Sequence, residues 1–374
     1  MKRNIIMIGV FGLCGAVTSA QMLTPSYAQD ASALPANVPP PGSTAATRPK
    51  GVGVVAAPPA GFNPLTASPA ARAQYAIPPM PDPRVAPGAY DRWQKAVAGP
   101  AKRAVAPVLT QTNIFNGPAK KVGPSVPSGT ANNVITATSS NWSGGSVINS
   151  SNPFTLEAII GEFVVPTAHQ AFGSCTEEDY SSQWPGIDGN GSGDVLQAGI
   201  EVDALCSGGT TTGFYSAWIE WFPFDEVRVS SPAIRPGDLV YVQVWNTSPT
   251  SGLAYFYDYS TEVSAEYVLT APSGTKLVGD SIEWIVERPG ISAGLATLTN
   301  YIDVPWSYGV AWNYQAASPT FYFDGQPPAA GTYEELTMVD NSGLGISSAT
   351  FESYNFLWFQ DFGSACGRTG APPC

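Results

Sequence analysis

The sequence predicts an all-β fold, either a sandwich or a barrel, for the chain beyond about residue 135. Short runs dense in Val, Ile, Thr, Tyr, Phe and Trp alternate with segments of Gly, Pro, Asn and Ser. Many short strands at such spacing are typical of these two architectures, and no stretch there convincingly predicts a helix longer than two turns. The predicted strands are Ala158–Val165, Asp194–Val202, Phe214–Phe222, Leu239–Asn246, Leu253–Asp258, Ala265–Thr270, Ser281–Glu287, Phe321–Asp324 and Tyr333–Val339.

The chain opens with the pattern of a secretory signal. Lys2 and Arg3 precede an apolar run from Ile5 to Val17 that is too short to anchor the protein in a membrane. Small residues predict cleavage after Ala20, so residues 1–20 form the expected signal peptide, or residues 1–28 if a second candidate site is used. We therefore expect a secreted protein, extracellular or periplasmic, without a membrane anchor.

Residues 21–130 have a different composition from the rest of the chain. They are rich in Ala, Pro and Gly, which predicts a largely unstructured prosegment with a possible short helix over Tyr90–Val97. Residues 131–374 are then the expected folded, acidic β-sandwich domain. Alternatively, residues 21–130 are a disordered linker.

Charge is distributed unevenly between the two parts. Residues 1–121 hold 12 of the 17 Lys and Arg residues and three of the 29 Asp and Glu residues. The remainder has five bases against 26 acids, a formal net charge of −21 that would repel nucleic acid. The asymmetry predicts a cationic propeptide lying on an anionic domain as an intramolecular inhibitor, and a domain active in acid. Alternatively, the acidic composition serves only to keep the domain soluble in acid.

Four cysteines remain once Cys14 in the signal is set aside. An even number in an exported protein predicts two disulfides, and free thiols are the alternative. Three pairings are possible, and we favour the pairs nearest in sequence, which are Cys175 with Cys206 and Cys366 with Cys374. None of the four has the spacing of a metal site, and no cofactor is expected.

The common hydrolase machineries are mostly excluded. The chain has one histidine, His169, in a predicted surface loop, so Ser–His–Asp or Cys–His catalysis would have to use it. There is no G-x-S-x-G or HExxH motif.

The strand Ser281–Glu287 carries the first candidate for chemistry. Alternation places Glu283, Ile285 and Glu287 on one face and Trp284 and Val286 on the other, which we take as the core. A carboxylate on a rigid strand beside a large aromatic suits a general acid or base, although most such carboxylates only promote solubility.

Two further strands carry polar side chains on otherwise apolar faces. On the first, Gln197 shares a face with Gly199, and its amide could donate to a developing oxyanion or simply bond across the sheet. On the second, Ser216, Trp218 and Glu220 share a face that lines either a cleft or the core.

Five segments in order resemble the glutamic peptidases, or eqolisins, of the scytalidoglutamic type. They are Asn141-Trp142-x-Gly144-Gly145, Trp184-x-Gly186-Ile187-Asp188-Gly189, Leu196-Gln197-x-Gly199, Ala217-Trp218-x-Glu220-Trp221 and Glu283-Trp284-Ile285-Val286-Glu287. The resemblance implies a two-sheet antiparallel β-sandwich, of the concanavalin A-like or jelly-roll type, with a cleft on its concave face. It also implies a pepstatin-insensitive acid endopeptidase that acts on polypeptides and is made as a preproenzyme. We expect a monomer.

The resemblance also implies roles for individual residues. Gln197 and Glu283 match the catalytic pair, which would hold and activate one water molecule. Positions lining or supporting the site are Trp142, Trp184 and Asp188, and Glu220 lies in a matching motif.

Two other classes of function compete with the peptidase. A glycoside hydrolase or carbohydrate-binding module on the same fold would explain the ten tryptophans. Glu283 and Glu287 lie about 13 Å apart along a strand, too far for a retaining pair, whereas Glu283 and Glu220 on neighbouring strands would serve. The remaining possibility is a non-catalytic homologue.

Overall fold

Strands account for most of the regular structure in the computed structural model of this chain. The structure describes residues 49–55, 58–98, 102–103, 107–127, 134–148, 157–171, 178–301, 307–314, 321–323, 332–352 and 355–362. The predicted signal peptide and Cys175, Cys366 and Cys374 lie outside these residues, while Cys206 is disulfide-bonded. No helix within the described ranges is long and apolar enough to cross a membrane.

The helices and strands are numbered in chain order. The helices are α1 (Pro69–Gln74) and α2 (Pro87–Ala98). The first eleven strands are β1 (Val52–Val54), β2 (Lys102–Arg103), β3 (Leu109–Gln111), β4 (Val126–Pro127), β5 (Val134–Ser139), β6 (Trp142–Ile148), β7 (Glu157–Val164), β8 (Ser182–Ile187), β9 (Val195–Ser207), β10 (Thr210–Phe222) and β11 (Val227–Val229). The next eleven are β12 (Leu239–Ser248), β13 (Ser251–Asp258), β14 (Val263–Thr270), β15 (Ser281–Glu287), β16 (Gly290–Ile291), β17 (Gly294–Leu295), β18 (Ser307–Asn313), β19 (Phe321–Phe323), β20 (Thr332–Val339), β21 (Gly345–Glu352) and β22 (Phe356–Asp361).

The strands form two layers. The first layer, which we call the site sheet, has the order β4-β5-β20-β6-β15-β8-β9-β10-β11-β3. The second, which we call the back sheet, has the order β21-β22-β18-β7-β12-β13-β14-β1. Pairing is antiparallel throughout both orders except between β5 and β20, and β20 also pairs with β21.

The two layers pack face to face. The indole Nε1 of Trp284 in β15 donates to the carbonyl of Ile160 in β7 at 2.7 Å, and a Cβ on Gly309 in β18 would meet the same indole ring. Pro185 of the site sheet similarly lies against Gly161 of the back sheet. The predicted two-sheet antiparallel sandwich is therefore confirmed.

Alternation along the site sheet separates the core from a second face. The inward side chains belong to the main apolar core: Leu196, Ala198, Ile200, Ile282, Trp284 and Val286. The opposite face carries a smaller cluster: Trp142, Trp184, Val195, Trp218, Ile285 and Leu336. The strands Asp194–Val202 and Ser281–Glu287 therefore orient their side chains as predicted.

The expectation that residues 21–130 are largely unstructured needs a correction, because much of residues 49–98 is packed. The predicted helix over 90–97 lies within α2, whose Trp93 and Ala96 are fully buried against the outer face of the back sheet. Arg92 binds Glu162 of β7 (Nε–Oε1 3.0 Å) and stacks 3.7 Å from the Tyr308 ring centroid. Average composition does not reveal such packing, because a few large apolar residues on one helix face are enough to bind the helix to the sheet.

Candidate active site

One transverse row of the site sheet brings the candidate residues together. Glu283 of β15 pairs with Gly186 of β8, Gly186 pairs with Gln197 of β9, and Gln197 pairs with Glu220 of β10. Directly paired residues present their side chains on the same face, so the side chains of Glu283, Gln197 and Glu220 all point away from the core. Two strand spacings place the Cα atoms of Glu283 and Gln197 about 10 Å apart.

Gly186 lies between these two residues and lets the Trp184 ring pack closely over the sheet. A Cβ at this position would lie 2.6 Å from the Trp184 ring and 3.3 Å from the Cβ of Gln197. Only a glycine therefore allows this close approach of the indole between the two strands.

The row also corrects the expected position of Glu220. Glu220 and Glu283 are separated by β8 and β9 rather than lying on neighbouring strands, so their Cα atoms are about 14 Å apart. A retaining glycosidase needs carboxyl groups about 5–5.5 Å apart, and this spacing does not provide them.

Glu287 and two indoles form the next part of the same face. The Trp142 and Trp184 rings meet edge to face with centroids 5.0 Å apart. Trp184 Nε1 donates to Glu287 Oε2 at 3.2 Å, and the Asn141 amide donates to Glu287 Oε1 at 3.0 Å. These bonds hold the Glu287 carboxyl in one orientation beside the row.

Asp188 supports the site from the loop that follows β8. Its carboxylate accepts backbone N–H bonds from Val278 (2.5 Å), Gly279 (2.9 Å) and Asp280 (3.0 Å). These three residues lead directly into β15, so Asp188 fixes the start of the strand that carries Glu283. Burial raises the pKa of Asp188 to about 7. His169, in contrast, is an exposed loop residue paired through its backbone with Asn300, and it takes no part in the row.

The chain's own N-terminal segment covers this face. Residues 112–121, which we call the strap, follow β3, the strand that pairs with β11 at the edge of the site sheet. Phe115 forms a backbone bridge with Gly290, Ala119 N donates to the Gly189 carbonyl at 3.0 Å, and Lys121 bridges to Ser139. The strap therefore crosses the site sheet from the β10–β11 side to the β5 side.

The strap touches the row at Asn116. Gln197 Nε2 donates to the backbone carbonyl of Asn116. Asn116 N donates to Glu220 Oε2 at 3.0 Å, and Gly117 N donates to Glu287 Oε1 at 3.1 Å. The peptide unit between Asn116 and Gly117 is thus held at both its carbonyl and its N–H.

Beyond the row, the strap is fastened by a charged contact. Lys121 Nζ lies 2.8 Å from Glu334 Oε2, and the same carboxylate accepts from the Asn190 amide at 2.7 Å. Glu334 of β20 is paired with Ser146, which is paired with Glu283, so this ion pair lies on an extension of the same row. The Lys120 backbone N–H donates to Asn141 Oδ1 at 2.8 Å.

Burial dominates the electrostatics of the row. Glu283, Glu220 and Glu287 are each at most 1% exposed. Burial is the main cause that raises the pKa of all three well above the ordinary value, and the charge of Asp188 adds to the shift for Glu283. An ordinary carboxyl pKa, which a base working near pH 4 requires, therefore does not describe the buried Glu283.

We expect the protein to lose stability as the pH rises from 5 to 8. Carboxyl groups with a folded pKa above the unfolded value of about 4.3 bind protons more tightly in the folded state. Their contribution is fully present below the unfolded pKa and declines until the pH passes the folded pKa. The thermal midpoint should therefore fall over this range in a melting experiment, and Glu283→Gln should make the fall less steep. A midpoint that rises across the range for wild type would contradict the raised pKa values.

Several residues at the site are not evident from the sequence. Asn116 belongs to a segment whose composition resembles a linker, and Glu226 lies in the turn before β11, outside any predicted strand. Glu287 had a detectable signal, because its spacing from Glu283 places both on one face of β15.

Comparisons with known proteins agree with the motifs. Residues 140–321 match the model of the peptidase A4 family. The predicted resemblance to the glutamic peptidases is confirmed. The chain is 31% identical over 165 residues to aspergillopepsin-2 of Aspergillus niger, covering 40% of this chain and 56% of that protein. It is 29% identical over 149 residues to scytalidopepsin B of Scytalidium lignicola, covering 40% and 51%.

The glutamic peptidase match includes the row but not the strap. The chain spans about half the length of the curated relatives it matches. Among solved structures, scytalido-glutamic peptidase with a transition state analog inhibitor covers 59% of this chain and 98% of its own, at 21% identity and a TM-score of 0.46. Aspergilloglutamic peptidase from Aspergillus niger covers 49% and 99%, at 22% identity and a TM-score of 0.39. The strap precedes the matched residues 140–321.

Proposed function

We propose that this chain is the precursor of an exported, acid-active endopeptidase that uses Glu283 and Gln197 to hydrolyse peptide bonds. The observation that carries the proposal is the Gln197 amide donating to a backbone carbonyl of an extended peptide, in the same row as Glu283. A site that already binds polypeptide backbone in this way suits a peptide substrate better than a sugar.

The row assigns a task to each group. Glu283, once ionised, takes a proton from a water molecule held between it and Gln197. The water oxygen attacks the carbonyl carbon while the Gln197 amide donates to the oxygen that becomes negative. The protonated Glu283 then gives its proton to the leaving nitrogen, and the C–N bond breaks. The Glu287 carboxylate orients the substrate by accepting from its peptide N–H, as it accepts from the Gly117 N–H in the strap.

The same proposal makes the strap an intramolecular inhibitor. It occupies the place of a substrate at Gln197. The ion pair between Lys121 and Glu334 fastens its far end. Once the strap has been cut away, substrate and water reach the row and the pKa of Glu283 falls toward its ordinary value.

Acidification of the purified precursor tests the proposal directly. At pH 3–4 we expect the chain to be cut N-terminal to the sandwich and to hydrolyse a denatured protein in the presence of pepstatin. Sequencing of the new N-terminus identifies the cut. Hydrolysis of a β-glucan at pH 4 without hydrolysis of the protein would instead favour a glycoside hydrolase, and inactivity on both would favour a non-catalytic homologue.

The ion pair at the end of the strap supplies a more specific prediction. Lys121→Ala should raise the pH at which the precursor activates, by several tenths of a unit or more, because one anchor of the strap is already absent. The measurement is the rate of peptide hydrolysis after incubation at a series of pH values from 3 to 6. Lys95→Ala, which removes an exposed lysine of α2, is the matched control and should activate as wild type does. Equal activation of both variants would remove this ion pair from the proposed inhibition.

A further inference from the structure

We infer that the subsite for the residue preceding the scissile bond selects a side-chain amide, above all asparagine, with Glu220 and Glu226 as its binding groups. The inference rests on the proposed function, because it takes the strap as a guide to how a substrate lies. It concerns selectivity among peptides, which the proposed function leaves open.

The backbone contacts of the strap define the register. In the proposed chemistry, Gln197 donates to the carbonyl oxygen of the bond that is attacked, and in the strap this oxygen belongs to Asn116. The N–H on the other side of that bond belongs to Gly117 and is held by Glu287 at 3.1 Å. Asn116 therefore occupies the position of the residue that precedes the scissile bond.

The Asn116 side chain lies in a pocket that is polar and closed to solvent. Its Nδ2 donates to Glu220 Oε2 at 3.2 Å and to Glu226 Oε2 at 3.3 Å. Asn116 and Glu226 are 0% exposed and Glu220 is 1% exposed. Asn116 Oδ1 has no protein partner in the structure, so the side chain presents both a donor and an acceptor to this pocket.

The pocket is built by contacts that do not involve the Asn116 side chain. Glu226 directly precedes β11, and its Oε1 lies 3.5 Å from Nε of Arg228 in that strand. Arg228 in turn binds Glu201 of β9 at 2.5 Å. Since Glu220 is fixed on β10 and Glu226 is fixed by Arg228, the two carboxyl groups face the subsite whichever side chain enters it.

An amide is the neutral group that suits two buried carboxyl groups. Burial raises the pKa of both Glu220 and Glu226 well above the ordinary value, so in acid each has a hydroxyl that donates and a carbonyl that accepts. In the strap the amide Nδ2 donates to both groups. Leucine, with nearly the same shape, would remove both of these hydrogen bonds from buried carboxyl groups, and sites built to hydrogen-bond a substrate group reject analogues that lack it.

The first experiment asks which peptides the protein cuts. The full chain, acidified to pH 3.5, is incubated with a peptide library prepared from a whole proteome, and mass spectrometry identifies each new terminus. Enrichment of Asn immediately before the cut supports the inference, whereas cleavage with no Asn preference, or with preference for apolar residues, overturns it. Failure to cut any peptide would contradict the proposed function, and the subsite assignment would fall with it.

The second experiment assigns the preference to the pocket. Two fluorogenic peptides that differ only by Asn or Leu before the cut should differ at least about tenfold in kcat/KM with wild type. Glu226→Leu should bring this ratio close to one while the Leu peptide is still cut. Glu266→Leu is the control, because it removes a buried carboxyl of the back sheet, on a different layer from Glu220 and Glu226, and its ratio should stay as in wild type.

These two variants distinguish selectivity from damage to the fold. A ratio that is unchanged in folded Glu226→Leu, or lost equally in Glu266→Leu, would overturn the assignment of the pocket. If Glu226→Leu does not fold, the wild-type ratio decides alone, since a ratio near one contradicts an amide-selective subsite.

Discussion

Glu283→Gln is expected to give a folded precursor that hydrolyses no peptide at pH 4. Glutamine has nearly the shape of glutamate but cannot take a proton from water, so both proton transfers of the proposed mechanism are lost. General bases typically contribute about 10²–10⁴ in rate, and the loss here should reach or exceed the upper end because Glu283 serves twice. The measurement is kcat/KM for a fluorogenic peptide after acid treatment, together with sequencing to see whether the strap is still cut.

Stability separates lost chemistry from lost folding in this variant. Because burial raises the pKa of Glu283, ionising the carboxylate at pH 7 costs folding free energy that the neutral amide does not incur. Glu283→Gln should therefore melt at the same temperature as wild type or higher at pH 7. Glu266→Gln, a buried strand carboxyl of the back sheet, is the control and should keep wild-type activity. Wild-type hydrolysis by Glu283→Gln would end the proposed mechanism.

The local arrangement of the candidate residues follows from strand periodicity alone. Alternation places Glu283 and Trp284 on opposite faces of β15, and Gln197 and Leu196 on opposite faces of β9. The structure has both orientations. Two-residue periodicity is a local property, so it can be read without knowing which strands are neighbours. The order β15-β8-β9-β10 is not local, and the assumption that Glu220 and Glu283 lie on neighbouring strands was wrong for that reason.

The strap shows a second limit of sequence reasoning. The basic character of residues 1–121 predicts attraction to the acidic domain, and Lys121 does pair with Glu334. The hydrogen bond between Asn116 and Gln197 involves no charged group, so the charge distribution could not predict it. It depends on the pairing of β3 with β11 at the sheet edge. The raised pKa of Glu283 likewise cannot be predicted from local sequence, since the burial that raises it is a property of the folded chain.

Gln197→Ala is expected to lower kcat by about 10²–10³ while leaving the fold intact, which is the typical cost of removing one oxyanion donor. The amide contributes mainly when charge develops on the attacked oxygen, so kcat should fall much more than KM changes. In the precursor the Asn116 carbonyl also loses its donor, so the strap should be held less firmly even though the site it covers is nearly inactive.

Gln183→Ala is the control, because Gln183 is a buried glutamine on adjacent β8 that faces the space between the sheets. The two variants have comparable loss of side-chain volume, and only Gln197→Ala should lose activity. A loss confined to KM would mean that Gln197 binds peptide backbone equally in the ground state and the transition state, and the oxyanion role would have to be abandoned even if Glu283 proved essential.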